Sequence, residues 1–154
     1  MLRPEEVREL EGEVEAMPRK DAACIEALKV VQRHRGWVTD EGLRDVAGYL
    51  EMDPAQVESV ATFYNLIFRK PVGRHVILMC DSVSCWMLGY DALRHRLTRE
   101  LGIELGETTA DDRFTLLPIP CLGNCDHAPA LMVDEDLHQD LTPDDLPGIL
   151  EDYE

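Results

Sequence analysis

The chain has 154 residues, 45% of them hydrophobic and 30% charged, and carries a formal net charge of −16. That length allows one domain of ordinary size or two small ones, and so strong a negative field repels nucleic acid and anionic membrane surfaces. The excess is uneven. Residues 1–72 hold 10 Lys/Arg against 14 Asp/Glu, residues 73–154 hold 5 against 17, and no Lys or Arg follows Phe114. Neither a GxGxxG nor a P-loop is present, so the chain is not expected to hold a nucleotide itself; a basic protein partner is the natural complement. The acidic start MLRPEEVRELEGEVEAM lacks the apolar stretch of a secretory signal and the Arg-rich character of a transit peptide. No apolar run approaches the roughly 20 residues that span a bilayer. The expected location is cytoplasmic, without direct membrane insertion. In that compartment paired cysteines are more often ligands than disulfides.

In chain order, the first 70 residues read as helices. Residues 5–17 form a polar helix with Val7, Leu10 and Val14 as core positions, ended by Pro18. A second helix over 21–35 carries Cys24, Leu28 and Val31 and stops at Gly36. Cys24 there is a small core residue. Thr39 caps a third helix with Leu43, Val46, Ala47 and Leu50. Asp53-Pro54-x-Gln56 starts a fourth, whose apolar stripe is Val57, Val60, Ala61, Tyr64, Ile67 and Phe68. Pro71-Val72-Gly73 then marks a boundary between an N-terminal helical bundle, 1–72, and a second domain, 73–154. Beyond it the pattern changes. Strands are expected over 74–80, 114–119, 130–133 and 137–138, with an amphipathic helix over 89–101 stopped by Gly102 and a final helix towards Tyr153 that is capped by Thr142-Pro143-Asp144-Asp145 and begins with a looser turn because Pro147 has no N–H to donate. The fold class is α+β.

Five cysteines occur, and four fall in two tight pairs, Cys80-x4-Cys85 and Cys121-x3-Cys125, each following an expected strand. Four thiolates from two loops suit a tetrahedral zinc or a small iron–sulfur cluster. A [2Fe–2S] centre needs two thiolates for each of two irons, and a C-x4-C arm is known for such clusters. Gly123 permits close approach of backbone N–H groups to sulfur, and Ser82, Ser84 and Asn124 are further candidate donors. Four thiolates and two sulfides against two ferric ions leave a dianion in an already negative field, so a low reduction potential is expected. His127 reads as a surface or supporting group, because four cysteines complete the ligand set without it. Trp86, beside Cys85, reads as packing over the loop or as an interface residue. No catalytic triad or paired general acid and base stands out.

Several stretches together resemble a known family: Val60-Ala61-Thr62-Phe63-Tyr64, Cys80-Asp81-Ser82-Val83-Ser84-Cys85, Gly106-Glu107-Thr108-Thr109, Cys121-Leu122-Gly123-Asn124-Cys125-Asp126-His127-Ala128-Pro129 and Leu141-Thr142-Pro143. They look like the family of thioredoxin-like [2Fe–2S] E subunits of bacterial NADH:quinone oxidoreductase, respiratory complex I, over about residues 18–154. Asp112 departs from it, since the family commonly has Gly in that turn. The resemblance implies a helical bundle followed by a thioredoxin-like [2Fe–2S] ferredoxin domain, with one cluster held by Cys80, Cys85, Cys121 and Cys125. It also implies a flavoprotein partner that holds FMN and NADH, further peripheral-arm subunits, and a position on the cytoplasmic side of the inner membrane reached through the complex. The chain would serve electron transfer or storage beside the flavin and would not be catalytic alone. The equivalent subunit of an NAD-linked hydrogenase or formate dehydrogenase shares the cysteine pattern. A zinc-stabilised four-cysteine adaptor is the reading from a different class.

Overall fold

The computed structural model describes residues 1–153. The chain forms two compact units, one spanning Met1–Pro71 and the other beginning at Val72. Among the described residues no helix is long and apolar enough to cross a membrane.

The first unit is four helices: α1 (Pro4–Glu15), α2 (Cys24–Arg35, entered through a 3-10 turn at Lys20–Ala23), α3 (Asp40–Leu50) and α4 (Pro54–Phe63). The local signals do what their chemistry requires. The Thr39 hydroxyl accepts from the Gly42 N–H at 3.0 Å. The Asp53 carboxylate accepts from Ala55 N–H at 2.8 Å, and the Gln56 amide oxygen accepts from Asp53 N–H at 3.3 Å. Gly36 ends α2 at φ +83°, a conformation that costs glycine little. Leu10, Leu28, Val31, Val46, Leu50, Val57 and Ala61 meet in one core, with Cys24 buried among them. Each fully buried Leu contributes about 1.5–3 kcal/mol.

Two features depart from the expected pattern. Glu6, on the supposedly polar first helix, is fully buried. The Arg35 guanidinium donates to both its carboxylate oxygens, at 2.6 and 2.7 Å, and the Arg3 N–H donates to it at 2.7 Å. The fourth helix also ends early, at Phe63, with Tyr64 extended, although its apolar stripe runs on to Phe68. The cause is Gln32 of α2. Its amide N–H donates to Leu66 O at 2.9 Å and its amide oxygen accepts from Phe68 N–H at 2.6 Å. These bonds satisfy backbone groups that another helical turn would have used, and they turn the chain so that Ile67 is buried.

The second unit has a four-stranded sheet in the order β2-β1-β3-β4. The strands are β1 (His75–Cys80), β2 (Phe114–Ile119), β3 (Leu131–Val133) and β4 (Asp136–His138). β1 and β2 are parallel and pair from His75↔Phe114 to Cys80↔Ile119. α5 (Val83–Leu88) and α6 (Tyr90–Leu101) make the crossover between them, as a parallel connection requires. β3 pairs antiparallel with β1 and with β4, and α7 (Leu146–Glu151) closes the unit. Ile77 and Met79 enter a core with Leu93, Leu97, Phe114, Leu116, Leu131 and Leu146. The alternate residues of β1, Val76, Leu78 and Cys80, are buried too; both faces of the strand are covered, and its continuous apolar run reflects that.

Two local features of this unit follow from single residues. The final helix starts at Leu146, not next to Thr142. The Asp145 carboxylate instead accepts from both the N–H and the hydroxyl of Thr142 at 2.7 Å, closing a turn ahead of the helix. Asp112 sits at φ +54°, the left-handed region in which glycine is easiest and aspartate tolerated; this accounts for the glycine that the family resemblance puts there.

Gly73 enters the sheet under a tight constraint. A Cβ on it would lie 3.0 Å from the backbone carbon and oxygen of Arg113 and from the Asp112 oxygen. Its N–H donates to the buried Thr115 hydroxyl at 2.7 Å, which in turn meets the Thr108 hydroxyl at 2.7 Å. Backbone atoms cannot swing aside as a side-chain end can. Gly73→Ala is therefore expected to push the segment off β2 and destabilise the second unit by about 1–3 kcal/mol. An unchanged urea midpoint for this variant would contradict the close approach.

Candidate iron–sulfur site

The parallel register of β1 and β2 brings the C-terminal ends of both strands to one edge, and both cysteine pairs follow from there. Cys80 is the last residue of β1 and is buried. Cys85 is buried as well, but it lies on a helix where the sequence suggested only a loop. Ser82 caps that helix, its hydroxyl accepting from the Cys85 N–H at 3.4 Å and lying 3.4 Å from the Cys80 sulfur. Cys121 follows β2 and Cys125 opens a 3-10 turn, Cys125–His127; both are exposed, with their sulfurs 3.7 Å apart. Gly123, at φ +75°, donates its N–H to the Cys121 sulfur at 3.2 Å.

The two loops interlock through the sulfurs. Burial pushes the Cys80 thiol up. The hydroxyl and N–H of Ser82, the N–H of Leu122 and the Cys85 thiol together outweigh it, so Cys80 lies below the usual thiol range. Burial also pushes Cys85 up. The Ser82 hydroxyl and the Ala130 N–H oppose that, Cys80 adds to it, and the net is upward. Cys125 is raised chiefly by its hydrogen bond to Cys121 and by that neighbour's charge, with the Ser84 hydroxyl acting the other way. Leu122 of the second loop therefore serves Cys80 of the first, and Ser84 of the first serves Cys125 of the second. Backbone N–H groups and hydroxyls aimed at sulfur stabilise anionic thiolates.

The structure brings all four expected cysteines to this edge, as a buried pair and an exposed pair. A [2Fe–2S] group takes two thiolates on each of two irons, and two cysteine pairs supply that number. The donor set thus fits a binuclear group. Of the anticipated donors, Ser82 and Ser84 reach sulfur, while the Asn124 amide turns away to Gln139 at 3.0 Å. The N–H groups of Leu122 and Ala130 could not be anticipated, because their approach depends on tertiary packing. His127 bonds Asp140 through Nδ1 at 2.8 Å, which raises its pKa and fixes the ring on that carboxylate. Trp86 is 62% exposed, and Val83, Met87 and Leu88 of the same helix are exposed with it; α5 buries Cys85 and turns an apolar face outward.

A parallel strand pair joined by crossover helices, then an antiparallel hairpin and a last helix, is the thioredoxin-like arrangement, here carrying four thiols at one sheet edge. The chain belongs to the thioredoxin-like [2Fe-2S] ferredoxin family, which it matches over residues 10–154; the family implies a [2Fe–2S] cluster. It is 49% identical over 152 residues to the NADH-quinone oxidoreductase E subunit of Buchnera aphidicola subsp. Acyrthosiphon pisum, a match covering 99% of this chain and 94% of that one. The proteins of the same name from Pseudomonas aeruginosa and Escherichia coli K12 are each 54% identical over 132 residues, covering 86% of this chain and 80% of theirs. Among solved structures, an NAD+-reducing [NiFe]-hydrogenase in the air-oxidized state superposes with a TM-score of 0.69 at 25% identity, over 80% of this chain. The match spans 22% of the hydrogenase chain.

Proposed function

We propose that this chain is the [2Fe–2S] electron-transfer component, the E subunit, of an NADH:quinone oxidoreductase, with Cys80, Cys85, Cys121 and Cys125 as the cluster ligands. The observation that carries the reading is the two interlocked cysteine pairs, on a chain that aligns with E-subunit relatives over nearly its whole length. When bound, the cluster supplies one-electron acceptance and release. The chain's own part is to hold two thiolates on each side, to direct the N–H groups of Leu122, Gly123 and Ala130 at sulfur, and to bury one pair away from water. FMN and NADH belong to a partner flavoprotein, in keeping with the missing nucleotide motifs and the acidic surface here. Residues 1–72 act as a helical domain and 73–154 as the cluster domain. The complex places the chain in the peripheral arm on the cytoplasmic side of the membrane.

The outward apolar face of α5 is the seat for that flavoprotein. It lies on the helix that bears Cys85, and the exposed Asp81 and Asp91 flank it in sequence, so the complementary surface is apolar with a basic rim. Trp86→Asp is expected to reduce co-purification of the co-expressed flavoprotein severely, since aromatic anchors at interfaces contribute about 2 kcal/mol or more, while iron and sulfide per chain stay unchanged. Full retention of the flavoprotein by this variant would remove α5 from the interface.

The hydrogenase likeness favours a second reading, the equivalent subunit of an NAD-linked hydrogenase. The identity to the E-subunit relatives is about double, which places that reading second. Co-expression with the flavoprotein, followed by iron, acid-labile sulfide and flavin analysis, tests the assignment. Two irons and two sulfides on this chain with one FMN on the partner are expected; one zinc and no visible absorption would overturn it.

A further inference from the structure

We infer that the exposed pair, Cys121 and Cys125, is a site of reversible disulfide closure in the cluster-free chain, while the buried pair is shielded from it. Four observations carry this. The Cys121 and Cys125 sulfurs already stand 3.7 Å apart. Both residues are exposed, whereas Cys80 and Cys85 are 3% and 1% exposed. Only three residues separate the outer two, so closing the loop costs little chain entropy. Gly123, at its centre, holds a left-handed turn and directs its N–H at the Cys121 sulfur at 3.2 Å, which keeps that sulfur turned into the loop beside Cys125.

The reaction needs an oxidant, and a small-molecule disulfide supplies it. The Cys121 thiolate attacks one sulfur of that disulfide; a mixed disulfide forms on Cys121 and one small thiolate leaves. The Cys125 thiolate then attacks the Cys121 sulfur, the Cys121–Cys125 bond forms, and the second small thiolate leaves. The two protons lost by the cysteines end on the two released thiols, so the protein loses two electrons and the small disulfide gains them. The larger accessibility of the outer pair sets the selectivity. Its consequence, which rests on the ligand assignment above, is that the closed form has lost two of four ligands and takes up no iron until it is reduced. The window for this lies between synthesis of the chain and loading of the site.

The full-length chain, freed of iron by chelation under reducing conditions and then desalted without oxygen, is the material for the test. It is treated with oxidised glutathione, its remaining thiols are alkylated, and its peptides are mapped by mass spectrometry. The expected product has lost two hydrogens, carries a Cys121–Cys125 link, and leaves Cys24, Cys80 and Cys85 as alkylated thiols. Cys125→Ser is expected to stop at the mixed disulfide, with glutathione retained on Cys121. The same treatment in concentrated urea, where burial is gone, is expected to scatter the links over both pairs. A Cys80–Cys85 link under native conditions, five free thiols, glutathione retained on the unsubstituted chain, or the same mixture with and without urea would each overturn the inference. Incubation of the closed form with ferrous iron and sulfide, with and without a dithiol reductant, checks the consequence. No iron uptake without the reductant is expected; equal uptake would overturn the block. The mapping needs neither iron nor the flavoprotein, so its failure leaves the proposed function standing, and failure of that function leaves the mapping readable.

Discussion

Cys85→Ser is expected to abolish the cluster, with iron and acid-labile sulfide falling to background and the visible absorption lost. Cys85 is 1% exposed and anchored on α5, where Ser82 and Ala130 hold its sulfur. A serine oxygen there is shorter and harder than sulfur, and the position is almost fully buried. Cys121→Ser is the informative contrast. Its position is exposed, so solvent or the serine itself can occupy the vacated place, and a weakened, partly loaded product is expected in place of complete loss. Far-ultraviolet circular dichroism should show the helices of the first unit in both variants, because Leu10, Leu28 and the residues around them form a core of their own. Iron analysis and the electron paramagnetic resonance signal of the dithionite-reduced protein separate the outcomes. A wild-type signal from Cys85→Ser would remove that residue from the ligand set.

Glu6→Ala is the second substitution with a large expected effect. It removes a fully buried carboxylate that accepts three hydrogen bonds, two from Arg35 and one from Arg3 N–H. Arg35 keeps its 3.5 Å contact with Asp45 but loses its bidentate partner. Breaking one side of a buried pair costs about 3–5 kcal/mol, and for a unit of this size each kcal/mol shifts Tm by about 4–8 °C. The pH dependence carries a definite sign. The Arg35 hydrogen bonds, partly opposed by burial and reinforced by the Arg3 N–H, hold the Glu6 carboxyl below its ordinary value of 4.5. A carboxylate depressed in the folded state stabilises the protein at pH values above that ordinary value. The contribution fades as pH falls through the folded value. The wild-type first unit should therefore lose stability on acidification through this window. Glu6→Ala should be less stable at neutral pH and should lack that share of the acid loss. Parallel urea titrations at pH 7 and in the acid range measure both; equal midpoints at pH 7 would exclude the pair as a support of the bundle.

What the sequence announced and what it concealed divide by distance along the chain. The caps at Thr39 and Asp53 and the stop at Gly36 are visible because the bonds they make span only a few residues. The four cysteines were legible for a similar reason, since each pair sits within five or six residues and follows an apolar run. Glu6 was not, because its partner Arg35 lies 29 positions away and a glutamate in a polar helix looks like solvent-facing charge. The early end of α4 was hidden in the same manner: Gln32, which turns the chain at Leu66 and Phe68, belongs to a different helix. α5 escaped because its six residues are too few to show a period, and because Trp86, Met87 and Leu88 face outward where an amphipathic pattern would have placed polar groups. At the site, the donors missed were the Leu122 and Ala130 N–H groups, which reach the first cysteine pair from the second loop and from the residue just before β3.

The parallel ladder from His75↔Phe114 to Cys80↔Ile119 has a further consequence for how this site can vary. The gap between the cysteine pairs is set by two neighbouring strands, which stand about 4.8 Å apart in any sheet, and not by the long connection between them. The stretch between α6 and β2 folds back onto β2, with Gly106 N–H donating to Leu116 O at 2.7 Å and Thr109 N–H to Phe114 O at 2.8 Å, and so braces the ladder along its outer side. A slip of one residue in the ladder would displace one pair by about 3.3 Å along the strand and turn Cys80 onto the face now occupied by Met79. The site is brittle to a single error in strand alignment.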